Sequence, residues 1–268
     1  MKVGVLAKIS KVKTKETIEK LHRFLKELGY ETVSFSTPLD VKDVDVVIVL
    51  GGDGAILHAA VPAAKNNVKI IGINYGNIGF LTEYEKDESE QVAKLLKSLE
   101  RGECRIIKRS LLQIDIAGKP FYALNEVAFQ RDYGITTPAS TQILKLQMHT
   151  KSGEEVVSGD GVLFCTPTGS TAYSLSAGGA ILTPEAPVFM MTPICAFSMR
   201  ARPTVFCDSE CFTVRSLKGK AIILLDGKMV TFLPENVDVT VKKAPFTADF
   251  PVKENSDFFL RVRNKLNS

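Results

Sequence analysis

Histidine is scarce in this 268-residue chain: His22, His58 and His149 are far apart and show no metal-ligand spacing. The five cysteines, Cys104, Cys165, Cys195, Cys207 and Cys211, are odd in number and include no Cys-x-x-Cys pair, which speaks against a disulfide framework or a zinc site. Long apolar runs are lacking too. The most apolar stretch, Ala180 to Met199, carries Glu185 and the prolines Pro184, Pro187 and Pro193, so no membrane span is expected. The opening Met1-Lys-Val-Gly-Val-Leu-Ala-Lys is too short an apolar run for a secretory leader and has no small-residue cleavage site, which makes the cytoplasm the expected compartment. Charge of one sign is missing as well: 34 Lys plus Arg face 30 Asp plus Glu, and the net +4 is spread along the chain, which disfavours a nucleic-acid partner. Absent signatures include Gly-x-x-x-x-Gly-Lys-[Ser/Thr], Gly-x-Gly-x-x-Gly, Gly-x-Ser-x-Gly and His-Glu-x-x-His, which removes weight from Walker ATPases and common hydrolases.

What remains is an ordinary globular composition, 45% hydrophobic and 24% charged, able to bury a sizeable core. At about 150 residues per domain the length suits two modest domains or one large one, and two is the starting assumption. Residues 1–101 alternate strand and helix periods: Lys2–Ala7, then Thr14–Leu28 with Ile18, Leu21, Leu25 and Leu28 on one face, then Glu31–Ser36, Val44–Leu50, Gly54–Lys65, Lys69–Asn74 and Asp87–Leu99. Runs as apolar as Val46–Leu50 suit strands covered on both faces, so an α/β domain with a mostly parallel sheet is expected. Residues 102–241 change character, with short strand-like segments at Cys104–Ile107, Leu111–Ala117, Phe121–Gln130, Gln142–Thr150 and Val162–Cys165, and strands resuming from Thr204 to Val241. That pattern predicts an all-β second domain. The tail, 242–268, ends in alternating Phe259-Leu-Arg-Val-Arg263, the pattern of a strand returning to one of the domains, with the N-terminal one as the expected host.

The sharpest punctuation is Gly51-Gly52-Asp53-Gly54, between a buried strand and a helix, where open α/β sheets bind ligands. Glycines let a ligand approach the backbone, and the helix N-terminus offers N–H groups to phosphate. Asp53 adds to this. A carboxylate beside phosphates repels them unless it carries a metal or takes a proton from a nucleophile, so the turn points to phosphoryl transfer to a hydroxyl. The plainer role for Asp53 is to cap the helix beginning near Gly54. His58 lies about one turn further on and is placed to face the same ligand. A second glycine turn, Asn74-Tyr-Gly76-Asn-Ile-Gly79-Phe-Leu81, follows the next strand. In the second domain Asp160-Gly161 leads to Thr166-Pro-Thr168-Gly-Ser170-Thr171-Ala172-Tyr173-Ser174-Leu175-Ser176-Ala-Gly178-Gly179, the densest hydroxyl and glycine cluster in the chain, which suits a nucleotide-sized polar ligand. Asn125-Glu126 interrupts the strand-like run Phe121–Phe129 with adjacent polar residues fitted to ribose hydroxyls.

In order and spacing, these segments resemble the NAD kinase family over residues 1 to about 260. The likeness implies an N-terminal α/β domain, a C-terminal β-sandwich and assembly as homodimers or homotetramers. It implies transfer of the γ-phosphate of ATP, or of polyphosphate in some members, to the 2′-hydroxyl of the adenosine ribose of NAD, with a divalent metal, usually Mg2+. By this resemblance Asp53 is the general base, Gly51, Gly52 and Gly54 receive phosphates and Gly54 also touches the dinucleotide. Asn125, Glu126, Asp160 and Thr171, Ala172, Tyr173, Ser174, Leu175 and Ser176 bind NAD, with Thr168 and His58 close by and Asn74, Ser158 and Lys228 as lesser contacts. The metal ligands are not indicated. Some positions depart from the pattern: Ala55 replaces a frequent Thr, Ser158 a basic residue, Lys228 a Gln, and Ala196-Phe197 a Pro-His pair. Two other readings stay open at this point, a lipid kinase of the diacylglycerol or sphingosine type and a non-catalytic NAD-binding sensor.

Overall fold

The computed structural model describes residues 1–7, 14–76, 79–132 and 143–266. Gln142, the expected start of one strand, and Asn77 and Ile78 of the second glycine turn lie outside the described residues. The chain divides into two compact units, Met1–Arg109 with Phe246–Ser268, and Ser110–Pro245.

In the first unit the elements are β1 (Lys2–Ala7), α1 (Thr14–Glu27), β2 (Glu31–Phe35), β3 (Val46–Leu50), α2 (Asp53–Lys65), β4 (Lys69–Asn74), β5 (Tyr84–Glu85) and α3 (Ser89–Glu100). The strands form a parallel sheet in the order β2-β1-β3-β4-β5. Strand parity explains its layers. Val3, Val5, Val46, Ile48, Leu50, Ile71 and Ile73 point to one face and pack with Leu25 of α1 and Val92, Leu95 and Leu96 of α3. Val47, Val49, Ile70 and Gly72 point the other way, where α2 lies: a Cβ on Gly72 would collide with Ile56. Helices on both faces account for the five buried residues of β3. In this order the strand sequence reverses direction between β1 and β3, so the crevice beyond their carboxyl ends is where such sheets take ligands.

The second unit is built from antiparallel strands, the first and last of which extend a few residues past its limits at Ser110 and Pro245. Continuing along the chain, these are β6 (Ile106–Ile116), β7 (Lys119–Ala123), β8 (Glu126–Arg131), β9 (Leu144–Thr150), β10 (Gly153–Gly159), β11 (Gly161–Cys165), the single-turn α4 (Tyr173–Ser176), β12 (Val188–Ile194), β13 (Thr204–Cys207), β14 (Phe212–Lys218), β15 (Ala221–Leu225), β16 (Lys228–Leu233) and β17 (Asp238–Pro251). One sheet runs β10-β9-β14-β17-β6-β7 and the other β13-β12-β11-β8-β15-β16. A single buried cluster draws Leu146, Met148 and Val214 from the first and Phe129, Phe164 and Phe189 from the second, so the sheets pack face to face. Phe206 of β13 and Phe212 of β14 stack tilted with centroids 4.5 Å apart in that core.

The α/β unit and the antiparallel unit agree with the fold class expected from sequence. Three local expectations differ. Cys104–Ile107 and Leu111–Ala117, expected as separate strands, are joined in the single strand β6, which carries on through the intervening Lys108, Arg109 and Ser110. The run Phe121–Gln130 is not one strand, because the chain breaks between Ala123 and Glu126. The alternating Phe259–Arg263 is not a strand but part of the helix α5 (Phe258–Leu266), whose start is held by Leu260 N–H donating to Asp257 Oδ1 at 3.0 Å and whose Val262 is buried. Five alternating residues fit a helix face as well as a strand, and here the cap decides. Among the described residues, no helix is long and apolar enough to cross a membrane.

Candidate active site

In the first unit the chain turns from β3 into α2 through Gly51-Gly52. Gly51 N–H donates to Ile73 O at 3.0 Å and Tyr75 N–H to Gly51 O at 3.4 Å, which lays the second glycine turn beside the first at the carboxyl edge of the sheet. Gly52, not Asp53, is the N-cap of α2. The Asp53 side chain does other work. Its Oδ2 accepts the Phe80 N–H at 2.8 Å and its Oδ1 the Leu81 N–H at 2.9 Å, so both oxygens are tied to the loop that follows β4. The carboxylate comes so close to Gly79 that a Cβ there would stand 2.8 Å from its carboxyl carbon, which only glycine avoids. Lys265 of α5 brings its Nζ to 3.7 Å from Asp53 Oδ2 and lies over the Phe80 ring at 3.9 Å.

The surroundings of Asp53 are open. Nothing lies within 4 Å of where a Cβ would stand on Gly52 or Gly54, so the backbone at the start of α2 is accessible to a ligand. Gly54 and His58, four residues apart, share the exposed face of α2, while Ala55, Ile56, Ala59 and Ala60 are buried. Ala55 sits under the turn, where a Cβ on Gly51 would come within 2.8 Å of its own. Asn74 is buried and bonded inward: its Nδ2 donates to both Glu85 oxygens at 3.2 Å and its Oδ1 accepts the Gly76 N–H at 2.9 Å. Asn74 therefore shapes the second glycine turn.

The second unit gathers a different polar set around Asn125 and Glu126. β15 and β16 are joined by Asp226-Gly227, both at positive φ, +48° and +76°, the conformation of a two-residue hairpin turn. The Asp226 carboxylate collects the N–H groups of Leu124, Asn125 and Glu126 at 3.0, 2.7 and 3.2 Å. These bonds replace a strand ladder, which is why the run breaks there. Thr166 closes the other side: its hydroxyl donates to Leu124 O at 2.5 Å and its N–H to Asn125 O at 2.9 Å, while Gly169 N–H donates to the Thr166 hydroxyl at 3.1 Å. A Cβ on Gly169 would lie 2.7 Å from the Asn125 Cα, so the Thr-Pro-Thr-Gly turn fits against Asn125 only as glycine.

Glu126 is 5% exposed, and its Oε2 is buried with no hydrogen-bond partner. Burial, assisted by the nearby Asp226 charge, pushes its carboxyl up to about 8, against the pull of a Tyr173 N–H bond. Burial also raises Asp226, while three backbone donors and Lys228 pull the other way by favouring its charged form. A carboxyl held neutral near pH 7 offers a ligand both an O–H donor and an acceptor without repelling phosphate.

The hydroxyl-rich segment divides by burial. Thr168, Ser170 and Ser174 are buried, Ser170 bonded to Pro167 O at 2.6 Å and to Leu182 N–H at 3.0 Å, and Ser174 to Thr192 Oγ1 at 3.0 Å. Thr171, Ala172, Tyr173 and Leu175 are half-buried and Ser176 is exposed, so these carry the accessible surface of the segment. Asp160 is elsewhere. Register pairs Cys165 with Glu126 and Gly161 with Gln130, placing Asp160 just past the far end of the β8–β11 pair from Glu126, about 17 Å at 3.4 Å per residue. There it pairs with Arg131 at 3.1 Å, and its neighbour Ser158 accepts the Phe197 N–H at 2.8 Å. Lys228 is exposed beside the Asp226 turn. Sequence reading missed Arg131, Asp226 and Lys265; only Asp226 had a local signal, an Asp-Gly pair between two apolar runs. Among the described residues, no three of His, Cys, Asp and Glu are grouped to hold a metal.

Comparison with known proteins matches residues 6–104 to the ATP-NAD kinase N-terminal domain and residues 124–251 to the ATP-NAD kinase C-terminal domain. The chain is 32% identical over 281 residues to an NAD kinase of Methanothermobacter thermautotrophicus, covering 99% of this chain and 96% of that one. It is 35% identical over 263 residues to an NAD kinase of Clostridium tetani, covering 94% and 92%. Its structure is similar to that of an NAD kinase from Archaeoglobus fulgidus in complex with ATP, with a TM-score of 0.79, 26% identity and coverage of 100% and 98%. A yeast NADH kinase complexed with NADH shares the fold at a TM-score of 0.82 and 20% identity, with coverage of 100% and 88%.

Proposed function

Because the chain belongs to the NAD kinase family, we propose that it makes NADP by transferring the terminal phosphoryl group of ATP to the 2′-hydroxyl of the adenosine ribose of NAD, with Asp53 as general base. The observation that carries this reading is the Asp53 carboxylate, fixed by the Phe80 and Leu81 N–H groups beside the open backbone of Gly52 and Gly54. A hydroxyl hydrogen-bonded to Asp53 loses its proton to the carboxylate as its oxygen attacks the γ-phosphorus, and ADP leaves. Gly51, Gly52, Gly54 and the start of α2 receive the phosphates. A divalent cation, Mg2+ in this reading, would be held chiefly by the ATP phosphates, since among the described residues no three of His, Cys, Asp and Glu are grouped to hold one, and would offset phosphate charge. Polyphosphate is an alternative donor of the same chemistry.

For NAD, the reading assigns ribose hydroxyls to Asn125 and the neutral Glu126, with Thr168, Thr171, Ala172, Tyr173, Ser174, Leu175 and Ser176 lining the adenosine side. Asp160 and His58 are further dinucleotide contacts, and Asn74, Ser158 and Lys228 lesser ones. The burial of Ser174 and Asn74 favours a shaping role for their side chains. Relatives named NAD kinase over nearly the whole chain argue against a lipid kinase. We further assign it to the cytoplasm and expect a homodimer or homotetramer, for which the exposed Met229 and Phe232 on the edge strand β16 offer an apolar surface.

Incubation of the protein with NAD, ATP and Mg2+, read by an NADP-specific enzyme, tests the reaction, and Asp53→Asn tests the base. The variant should bind NAD as the wild type does and turn over more slowly by roughly two or more orders of magnitude. Unchanged turnover would remove Asp53 from the mechanism, and NAD binding without NADP from either protein would favour the sensor.

A further inference from the structure

An acidic side chain beside a triphosphate poses an electrostatic difficulty, since like charges disfavour one another most where water is displaced. The structure places a cation at this point. Lys265 Nζ lies 3.7 Å from Asp53 Oδ2, and the side chains are 31% and 28% exposed, so the pair is open to an incoming anion. Lys265 stands in the last turn of α5, where the helix dipole favours a positive charge, and its stem lies over the Phe80 ring.

The helix is not loosely apposed. One turn before Lys265, Arg261 donates to Thr82 O at 3.2 Å and Phe80 O at 3.5 Å, and its other nitrogen bonds Glu83 Oε2 at 2.7 Å and Ser256 Oγ at 2.8 Å. Phe80 therefore gives its N–H to Asp53 and its carbonyl to Arg261. One loop is gripped from both sides, and the (i, i+4) spacing puts Arg261 and Lys265 on the same face of α5. This helix lies beyond residue 251, where the family match ends.

Resting on the proposed function, we propose that α5 belongs to the phosphate-donor site: Arg261 anchors the helix to the loop that holds Asp53, and Lys265 supplies the positive charge that lets a nucleoside triphosphate approach that carboxylate. A purely structural lysine would change stability and leave substrate affinities alone.

The test uses the full chain with Lys265→Met, Lys265→Gln and Lys265→Arg, measuring KM for ATP at saturating NAD, KM for NAD at saturating ATP, kcat, and thermal melting. Either neutral variant should raise KM for ATP about tenfold, the lower end for a lost charged contact at a partly exposed site, with KM for NAD within twofold. Lys265→Arg should restore most of the ATP affinity. A wild-type KM for ATP in both neutral variants, or an equal rise in both KM values, overturns the inference while leaving NADP formation by the wild type intact. Failure of the wild type to form NADP would instead sink the functional reading on which it rests.

Discussion

Replacing Gly79 by alanine puts a methyl group beside the Asp53 carboxylate. The new carbon would stand 2.8 Å from the Asp53 carboxyl carbon and 3.0 Å from Thr82 Oγ1, and closer still to Asp53 Oδ1. Non-bonded carbons settle at about 3.5–4.0 Å, so the carboxylate must withdraw by about 1 Å. The Phe80 and Leu81 N–H groups, at 2.8 and 2.9 Å, belong to the loop and cannot both follow it. A displacement of about 1 Å in a positioned catalytic group costs on the order of a hundredfold in rate, about 2.7 kcal/mol of transition-state stabilisation. The assay is kcat for NADP formation at saturating NAD and ATP, with a thermal melt of the same preparation. Turnover should fall about a hundredfold while the melting temperature falls only a few degrees, since water can take over bonds lost by a side chain 28% exposed. A folded Gly79→Ala protein within twofold of the wild-type kcat would refute the idea that Gly79 is small for the sake of Asp53.

Two further predictions concern the second unit. Glu126 titrates near 8 in the folded protein against an ordinary value of 4.5, so between those pH values the folded state binds the extra proton and stability falls as pH rises. Denaturant unfolding at pH 5 and pH 8 should show that decline in the wild type and a flatter dependence in Glu126→Gln; the same slope in both would place the titration elsewhere. Asp226→Ala deprives three backbone N–H groups of their acceptor and should destabilise the protein by roughly 3 kcal/mol, at about 1 kcal/mol per bond. A loss under about 0.5 kcal/mol would mean that water replaces the carboxylate.

What could be read from sequence was whatever local pattern determines. β1 and β4 carry continuous apolar runs and emerge with the expected limits, and the Gly51–Gly54 turn lies where a strand run gives way to a helix period. β12, Val188–Ile194, was hidden inside the stretch Ala180–Met199, because the consecutive apolar residues Val188 to Met191 show no alternation and Pro193 speaks against a strand. The roles within the site were less legible. Asp53 satisfied the pattern of a helix cap equally well, and only the position of Phe80 and Leu81, 27 and 28 residues away, shows what its oxygens bind. Asp226 acts on residues about a hundred positions earlier, and Lys265 reaches Asp53 from the far end of the chain. Such partners are set by topology, which adjacent residues do not encode.

The first unit is discontinuous, made of Met1–Arg109 and Phe246–Ser268. During synthesis the Gly51–Gly54 turn therefore leaves the ribosome long before α5, with the whole of Ser110–Pro245 made in between. At roughly 5–20 residues per second the delay is on the order of ten seconds. Until then the loop after β4 lacks its Arg261 clamp and Asp53 its lysine, so a nascent chain stalled before Phe246 carries the glycine turn but cannot complete the pocket around it. On the proposed reading, competence is tied to completion of the chain through α5, and a message truncated after the second unit should yield a protein that retains the sequence motif without catalytic turnover.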